Sequence, residues 1–411
     1  MVYQLFYYLV KLTCYFYFKK VRIYNPQNIG VKKPLIICAN HGNSFMDAIL
    51  IAINSKRTLH FLVRADVFNT PFKKWFFAQL NMMPIYRIRD GREALKNNES
   101  IFLKCRKVLE NNGAIVIFPE GNCIVEKRLR AFKTGFVHLA FNTPLQNLQV
   151  LPVAINYSKP DEFYTDASLN FLKPISIEEV RETTQHDEFA FNKLLMLKTH
   201  DALKQQMVYI PENADDEFYE GVLLLKRNSI SPASIDFIES QINLAEKLSS
   251  LKTNDFKKFK KIEQQVFHYF QKLKLEGIED KAITEKRIPF LKWVLLFPFY
   301  FIGYWLNILP SKLLKNVVNT KIKEKQFKSS VRMVLSLFIY PVYIFAISCL
   351  LNLTLNNYAF SLAIITVLIL IYYCSFSAFN IFKQQKAGLK NANDFKELRL
   401  LRADIVSALN L

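Results

Sequence analysis

The chemistry most legible in this chain lies in the stretch ANHGNSFMDAILIA, residues 39–52. His41 precedes Asp47 by six positions. On one continuous helix, a six-residue step would turn the two side chains about 120° apart. The apolar run before Asn40 reads instead as a strand, and a helix begins near Ser44, a residue suited to the N-cap. With His41 in the connecting loop and Asp47 in the first helical turn, the imidazole can fold back onto the carboxylate. That contact fixes the tautomer and supports the imidazolium formed when the histidine takes a proton. Such a pair is a general base that needs no protein nucleophile and deprotonates a substrate hydroxyl directly. Taken alone, the pair also fits a plainer reading: a loop histidine beside an acid placed favourably at a helix start.

Two further loops carry polar groups of the right kind. In AIVIFPEGNCIVEKRLRAFKTGFVHLA, residues 114–140, a strand runs into Pro119-Glu120-Gly121. Pro and Gly end a strand sharply and expose backbone N–H groups that can hold an oxyanion or phosphate. Glu120 is costly to bury without a partner, so a basic residue or substrate is expected beside it. Lys127, Arg128, Arg130 and Lys133 follow, a run that by itself fits a solvated basic face. In MMPIYRIRDGRE, residues 82–93, Arg87 and Arg89 lie between a strand and a helix. A guanidinium fork there suits a phosphate monoester, although the motif is weak in isolation.

The elements that must position these loops alternate. Strands are expected at 34–39, 58–63, 83–87, 114–118 and 148–155, with helices near 44–55, 71–80, 92–111 and 132–142. Apolar strands alternating with helices predict an α/β fold with a mixed, largely parallel sheet flanked by helices. Ligands in such folds sit beyond the strands' carboxyl ends, which is where all three loops fall.

In order and spacing, these blocks resemble the phospholipid/glycerol acyltransferase family. Its blocks are a His–Asp motif, an Arg-containing block, Phe-Pro-Glu-Gly, and an apolar strand with a proline. Here they are Asn40-His41 with Asp47, Pro84 to Asp90 with Arg87, Phe118 to Gly121, and Val150 to Val153. The resemblance covers about residues 25–210. Five residues separate His41 from Asp47, where the familiar pattern has four. That form is similar to the glycerol-3-phosphate and dihydroxyacetone-phosphate acyltransferase branch, as are Pro84, Arg87 and Asp90 in the second block and Lys133-Thr134-Gly135 after the third. Asn122-Cys123 departs from it, since a small hydroxyl residue is common there. The resemblance implies that His41 deprotonates a glycerol hydroxyl while Asp47 holds His41, and that the alkoxide attacks the thioester of acyl-CoA or acyl carrier protein. It implies that donors around Gly121 stabilise the oxyanion, that Arg87 and Lys133 hold the acceptor phosphate, and that Glu120 positions the acceptor or Arg87. It implies no metal or redox cofactor. Glycerol 3-phosphate or its 1-acyl product is the expected acceptor. The alternatives are another lyso-lipid acceptor and a non-catalytic lipid-binding scaffold. The sequence contains no G-x-S-x-G elbow and no G-x-G-x-x-G turn. His60, His138, His186, His200 and His268 lie in contexts poorly suited to catalysis.

Composition points to a membrane. The 411 residues are 51% hydrophobic and 14% aromatic, and 55 Lys and Arg against 35 Asp and Glu give a formal charge of +20. Such a balance favours an anionic partner. With no zinc-finger or RNA-binding signature, membrane lipids are expected rather than nucleic acid. The six cysteines show no disulfide or C-x-x-C spacing and are read as reduced. Residues 1–24 are expected as a membrane-interfacial helix, a core helix being the plainer alternative, and 25–212 as the acyltransferase domain. A helical connector, 213–290, follows. Residues 291–332 hold a re-entrant or interfacial segment, favoured over a span because Pro298, Gly303 and Pro310 interrupt it. An uncharged transmembrane hairpin, 333–382, has arms near 333–351 and 359–381. A cytoplasmic helical tail, 383–411, ends the chain. Basic flanks on both sides of the hairpin place both ends, and the catalytic domain, on the cytoplasmic face.

Overall fold

A computed structural model describes residues 2–30, 32–87, 90–230, 237–284, 290–355 and 392–411, with 357, 359, 363–364 and 366–367. Arg89 and nearly all of the expected second hairpin arm lie outside these. The described chain divides into two compact units: residues 1–209 with 322–337, and 210–321 with 338–411.

The first unit begins with α1 (Val2–Tyr17) and β1 (Lys20–Tyr24), followed by β2 (Leu35–Ala39), α2 (Phe45–Ile53), β3 (Leu59–Arg64), α3 (Pro71–Gln79) and β4 (Met82–Ile85). It continues through α4 (Arg92–Glu110), β5 (Ala114–Ile117), α5 (Gly135–Phe141), β6 (Gln149–Tyr157), β7 (Asp166–Phe171) and β8 (Ile175–Ser176), and then α6 (Ile177–Thr183) and α7 (Glu188–Gln205). The sheet order is β1-β7-β6-β2-β5-β3-β4, with β8 beside β6. β6, β2, β5, β3 and β4 run parallel to one another, whereas β7 and β8 run antiparallel to β6. This is the mixed, largely parallel sheet expected. The five strands read from the sequence form within a few residues of their expected ends. β1, β7 and β8 were not foreseen, because short polar-flanked strands carry little period-2 signal.

β2 is buried along its whole length, as an inner strand covered on both faces must be. Leu35, Ile37 and Ala39 face a layer built from α1 and α2, with Met46, Leu50 and Ile51. Ile36 and Cys38 face the opposite layer, with Cys105, Phe136, Val137 and Leu195 of α4, α5 and α7. The result is a helix–sheet–helix sandwich whose parallel strands all deliver their carboxyl ends to one edge. α1 is buried along one side and exposed along another. Cys14 and Tyr17 are buried, while Leu5, Tyr8, Leu12 and Tyr15 form an exposed stripe at helical spacing.

The second unit contains α8 (Asp216–Ser229), α9 (Glu239–Asn254), α10 (Phe256–Glu276), α11 (Asp280–Thr284) and α12 (Phe290–Lys321), with a C-terminal helix, Ala392–Leu409. The connector is helical, as read, but it also packs a core of its own around Phe218, Tyr219, Phe259 and Tyr269. Buried Asp280 accepts hydrogen bonds from Tyr269 (2.5 Å), Asn228 (2.7 Å) and Arg402 (2.8 Å). α12 differs from the expectation. Pro298 and Pro310 lie inside one continuous helix, where an interrupted segment was expected. An apolar helix tolerates proline where neighbouring groups take over the freed carbonyls. Val294–Lys321, and Lys325–Thr354 within α13 (Lys325–Leu355), are long and apolar enough to cross a membrane.

Candidate active site

The parallel strands set the site. β2 ends at Ala39, and the chain turns through Asn40 and His41 into α2. Asn40 continues the β2–β6 pairing with its side chain: its amide donates to Ile155 O at 2.9 Å and accepts from Ile155 N at 2.7 Å. His41 Nδ1–H then donates to Asp47 Oδ2 at 2.8 Å. Asp47's side chain is 0% exposed and that of His41 18%. The fold-back expected from the sequence is thus formed, and it leaves Nε2 as the ring nitrogen not engaged by Asp47. The ring stacks on Phe118, with centroids 4.1 Å apart.

Asp47 is held from two more directions. The Asn43 N–H donates to Oδ2 at 2.8 Å, and the Tyr157 hydroxyl donates to Oδ1 at 2.6 Å. Burial, then the Asp47 charge and hydrogen bond, push the Tyr157 hydroxyl's pKa well above its ordinary value, so it stays a donor. Tyr157 was not foreseen. Its signal was its place on β6, in step with Leu151, Val153 and Ile155 on the face towards α2.

Ser44 sits at the N-cap of α2, but its side chain makes no capping hydrogen bond. Its backbone, at φ 47° and ψ −128°, is the second residue of a turn closed by Met46 N–H to Asn43 O at 2.9 Å. That is type II′ geometry, which favours glycine. The capping expectation fails because the chain must reverse tightly enough to bring His41 over Asp47. The Ser44 N–H points instead to Cys123 Sγ at 2.8 Å.

Glu120 has the basic partner expected beside it, and that partner is Arg130. Its side chain is 2% exposed. Oε1 accepts from the His41 N–H at 2.8 Å, and Oε2 accepts from Arg130 Nε at 2.8 Å. It therefore braces the histidine loop against Arg130, and the ion pair falls to Arg130 rather than Arg87. Arg130 also donates to Asn122 O at 2.5 Å. Its importance was hidden in the sequence, because it stands among three other basic residues.

Gly121, at φ +73°, closes the Phe118–Gly121 turn with its own N–H, which donates to Phe118 O at 3.1 Å. That N–H is therefore engaged within the turn. The glycine is required by its positive φ and by Lys133, whose Cγ would stand 3.3 Å from an added Cβ. Lys133 is tied to the turn by its N–H to Pro119 O at 2.7 Å, and its ammonium has no hydrogen-bond or ion-pair partner among the described residues. Arg87 lies beyond β4, at the same edge of the sheet but three strands from β2. It faces Asp66 at 3.5 Å and Asp90 at 3.6 Å, and its N–H donates to Asp90 at 2.8 Å.

A ring nitrogen of His41, an Asp47 oxygen and Cys123 Sγ lie within 4.8 Å of one another. Each is already a partner in a hydrogen bond, and the Asn43 and Ser44 N–H groups point at two of them. Burial, then the Asp47 charge, push the Cys123 thiol up, keeping it protonated.

Residues 20–156 match the model of the Acyltransferase family, a segment that takes in all four motif blocks. The resemblance read from the sequence therefore stands on that segment. Over 140 residues the chain is 27% identical to a probable 1-acyl-sn-glycerol-3-phosphate acyltransferase of Mycoplasma pneumoniae, covering 33% of this chain and 50% of that protein. It is 27% identical over 139 residues to a 1-acyl-sn-glycerol-3-phosphate acyltransferase of Chlamydomonas reinhardtii, covering 34% and 39%. An uncharacterized acyltransferase of Schizosaccharomyces pombe is 29% identical over 147 residues, covering 33% and 21%. The chain thus spans half or less of the length of each of these relatives. Among solved structures, the 1-acyl-sn-glycerophosphate acyltransferase PlsC of Thermotoga maritima is 22% identical, with a TM-score of 0.33, covering 47% of this chain and 79% of that one.

Proposed function

We propose that this chain is a membrane-bound O-acyltransferase that moves a fatty acyl group from acyl-CoA or acyl carrier protein to a glycerol phosphate. The observation that carries this reading is the His41–Asp47 pair, with the carboxylate fully buried and the ring's outer nitrogen free of it. His41 Nε2 takes the proton of the acceptor hydroxyl. The alkoxide attacks the thioester carbonyl, and the tetrahedral intermediate collapses as the C–S bond breaks. The proton on His41 passes to the departing thiolate. Asp47 holds the ring and offsets the imidazolium charge through both steps.

Arg87 and Lys133 serve the acceptor phosphate in this reading, and no metal or redox cofactor enters. Five residues between His41 and Asp47 favour glycerol 3-phosphate, whereas the names of two relatives favour its 1-acyl product. Two helices long and apolar enough to span support a membrane location, and the basic flanks support a cytoplasmic catalytic face. The test is an assay of the purified full chain in detergent with labelled acyl thioester. Glycerol 3-phosphate, dihydroxyacetone phosphate and lysophosphatidate would be offered separately. Transfer to one of the three that is lost in His41→Ala supports the reading. Transfer to none of them, or undiminished transfer in His41→Ala, overturns it.

A further inference from the structure

Asp47 accepts three hydrogen bonds, and only one of them comes from the base it orients. The Asn43 N–H shares Oδ2 with His41 and belongs to the same loop. The Tyr157 hydroxyl is different. It takes Oδ1 alone, at the shortest distance of the three, and arrives from β6, 110 positions further along the chain. Tyr157 is buried and lies next to the Asn156 side chain, which accepts from the Val208 N–H at 2.9 Å. The strand end that carries it is thus held from more than one side. We infer that Tyr157 is a positioning residue that serves the base by fixing and partly neutralising Asp47.

The physical reason is the sharing of charge within one carboxylate. A donor on Oδ1 draws negative charge away from Oδ2, the atom that faces His41. Tyr157 also removes the carboxylate's freedom to rotate away from the imidazole. The groups that face this pair are few. Asp47 lies on α2 and Tyr157 on β6. The loop after β5 brings Glu120, already paired to Arg130, and the Cys123 thiol, and α1 brings the Cys14 thiol. None of these supplies a second donor to Oδ1 among the hydrogen bonds described.

The inference rests on the reading of His41 as the base, and its test separates the two. Tyr157→Phe, Asp47→Asn and the double variant are assayed across pH in the full chain, with thermal unfolding measured alongside. In Tyr157→Phe the plateau of kcat is expected to fall roughly 10-fold. KM for the acyl donor should stay within twofold. The double variant should be no slower than Asp47→Asn, since Tyr157 acts through Asp47. An undiminished kcat in Tyr157→Phe, or losses that multiply in the double variant, would overturn the positioning role while leaving the base intact. Undiminished activity in Asp47→Asn would instead remove the His–Asp reading itself.

Discussion

The loop after β2 and the loop after β4 lie on the same edge of one sheet, yet they are built in opposite ways. In the first, Asn40, His41, Asn43, Ser44 and Asp47 each engage a specific partner, and Asp47 and Glu120 are buried. In the second, Arg87 faces two carboxylates at 3.5 and 3.6 Å, and one of them, Asp66, is itself substantially exposed. A proton-transfer group must be held within a fraction of an ångström of its working position. A phosphate-binding guanidinium must instead be free to exchange its resting carboxylates for a ligand. On the proposed reading, in which Arg87 serves the acceptor phosphate, the contrast divides the site into a fixed half and a yielding half.

The largest test strikes the fixed half. His41→Ala should lower kcat by about 10²–10⁴-fold with thermal stability almost unchanged, because the ring contributes chemistry more than packing. A steady-state assay with a melting curve checks both. Next, Arg130→Met leaves Glu120 buried without its cation. It should cost roughly 2–3 kcal/mol, seen as a fall in Tm of about 5–10 °C. Both atoms of Glu120 serve the fixed half, so kcat should fall with it. A change confined to KM for the phosphorylated acceptor would place Arg130 in the yielding half instead.

The yielding half is probed by Arg87→Lys. The charge is kept but the fork is lost, so KM for the acceptor should rise about tenfold while kcat stays within threefold. Equal losses in kcat would show that the two halves act as one. The smallest effect is expected from Ser44→Gly, which relieves the type II′ strain. Stability should rise by up to about 1 kcal/mol, read from denaturant unfolding. Activity should not improve, since Asp47 and Tyr157 already fix the loop.

Much of this could be read along the chain. The apolar runs of β2 and β5, the Pro–Gly stop after β5 and the helix start just before Asp47 are local features, and local sequence determines them. They gave the α/β class, the three loops and the His41–Asp47 contact. The sequence left the answer open where a partner had to be chosen among many. Glu120 needed a cation, and the sequence offered Arg87 and a run of four basic residues, with nothing to single out Arg130. Gly121 was rightly placed at a turn, but whether its N–H was free depended on the turn's own closure. α12 was read as interrupted because a proline's cost is local, while what compensates it is not.

Tyr157 shows the remaining limit most clearly. The sequence by itself determined that β6 would be a buried strand and which face its alternate residues would share. It could not show that β6 lies directly beside β2, because β5, β3 and β4 are also parallel strands and the order among them is a tertiary choice. Only that choice sets Ile155 against Asn40 and carries Tyr157 to Asp47. Strand order is fixed by the packing of both helical layers at once, a cooperative quantity that no short stretch of residues contains.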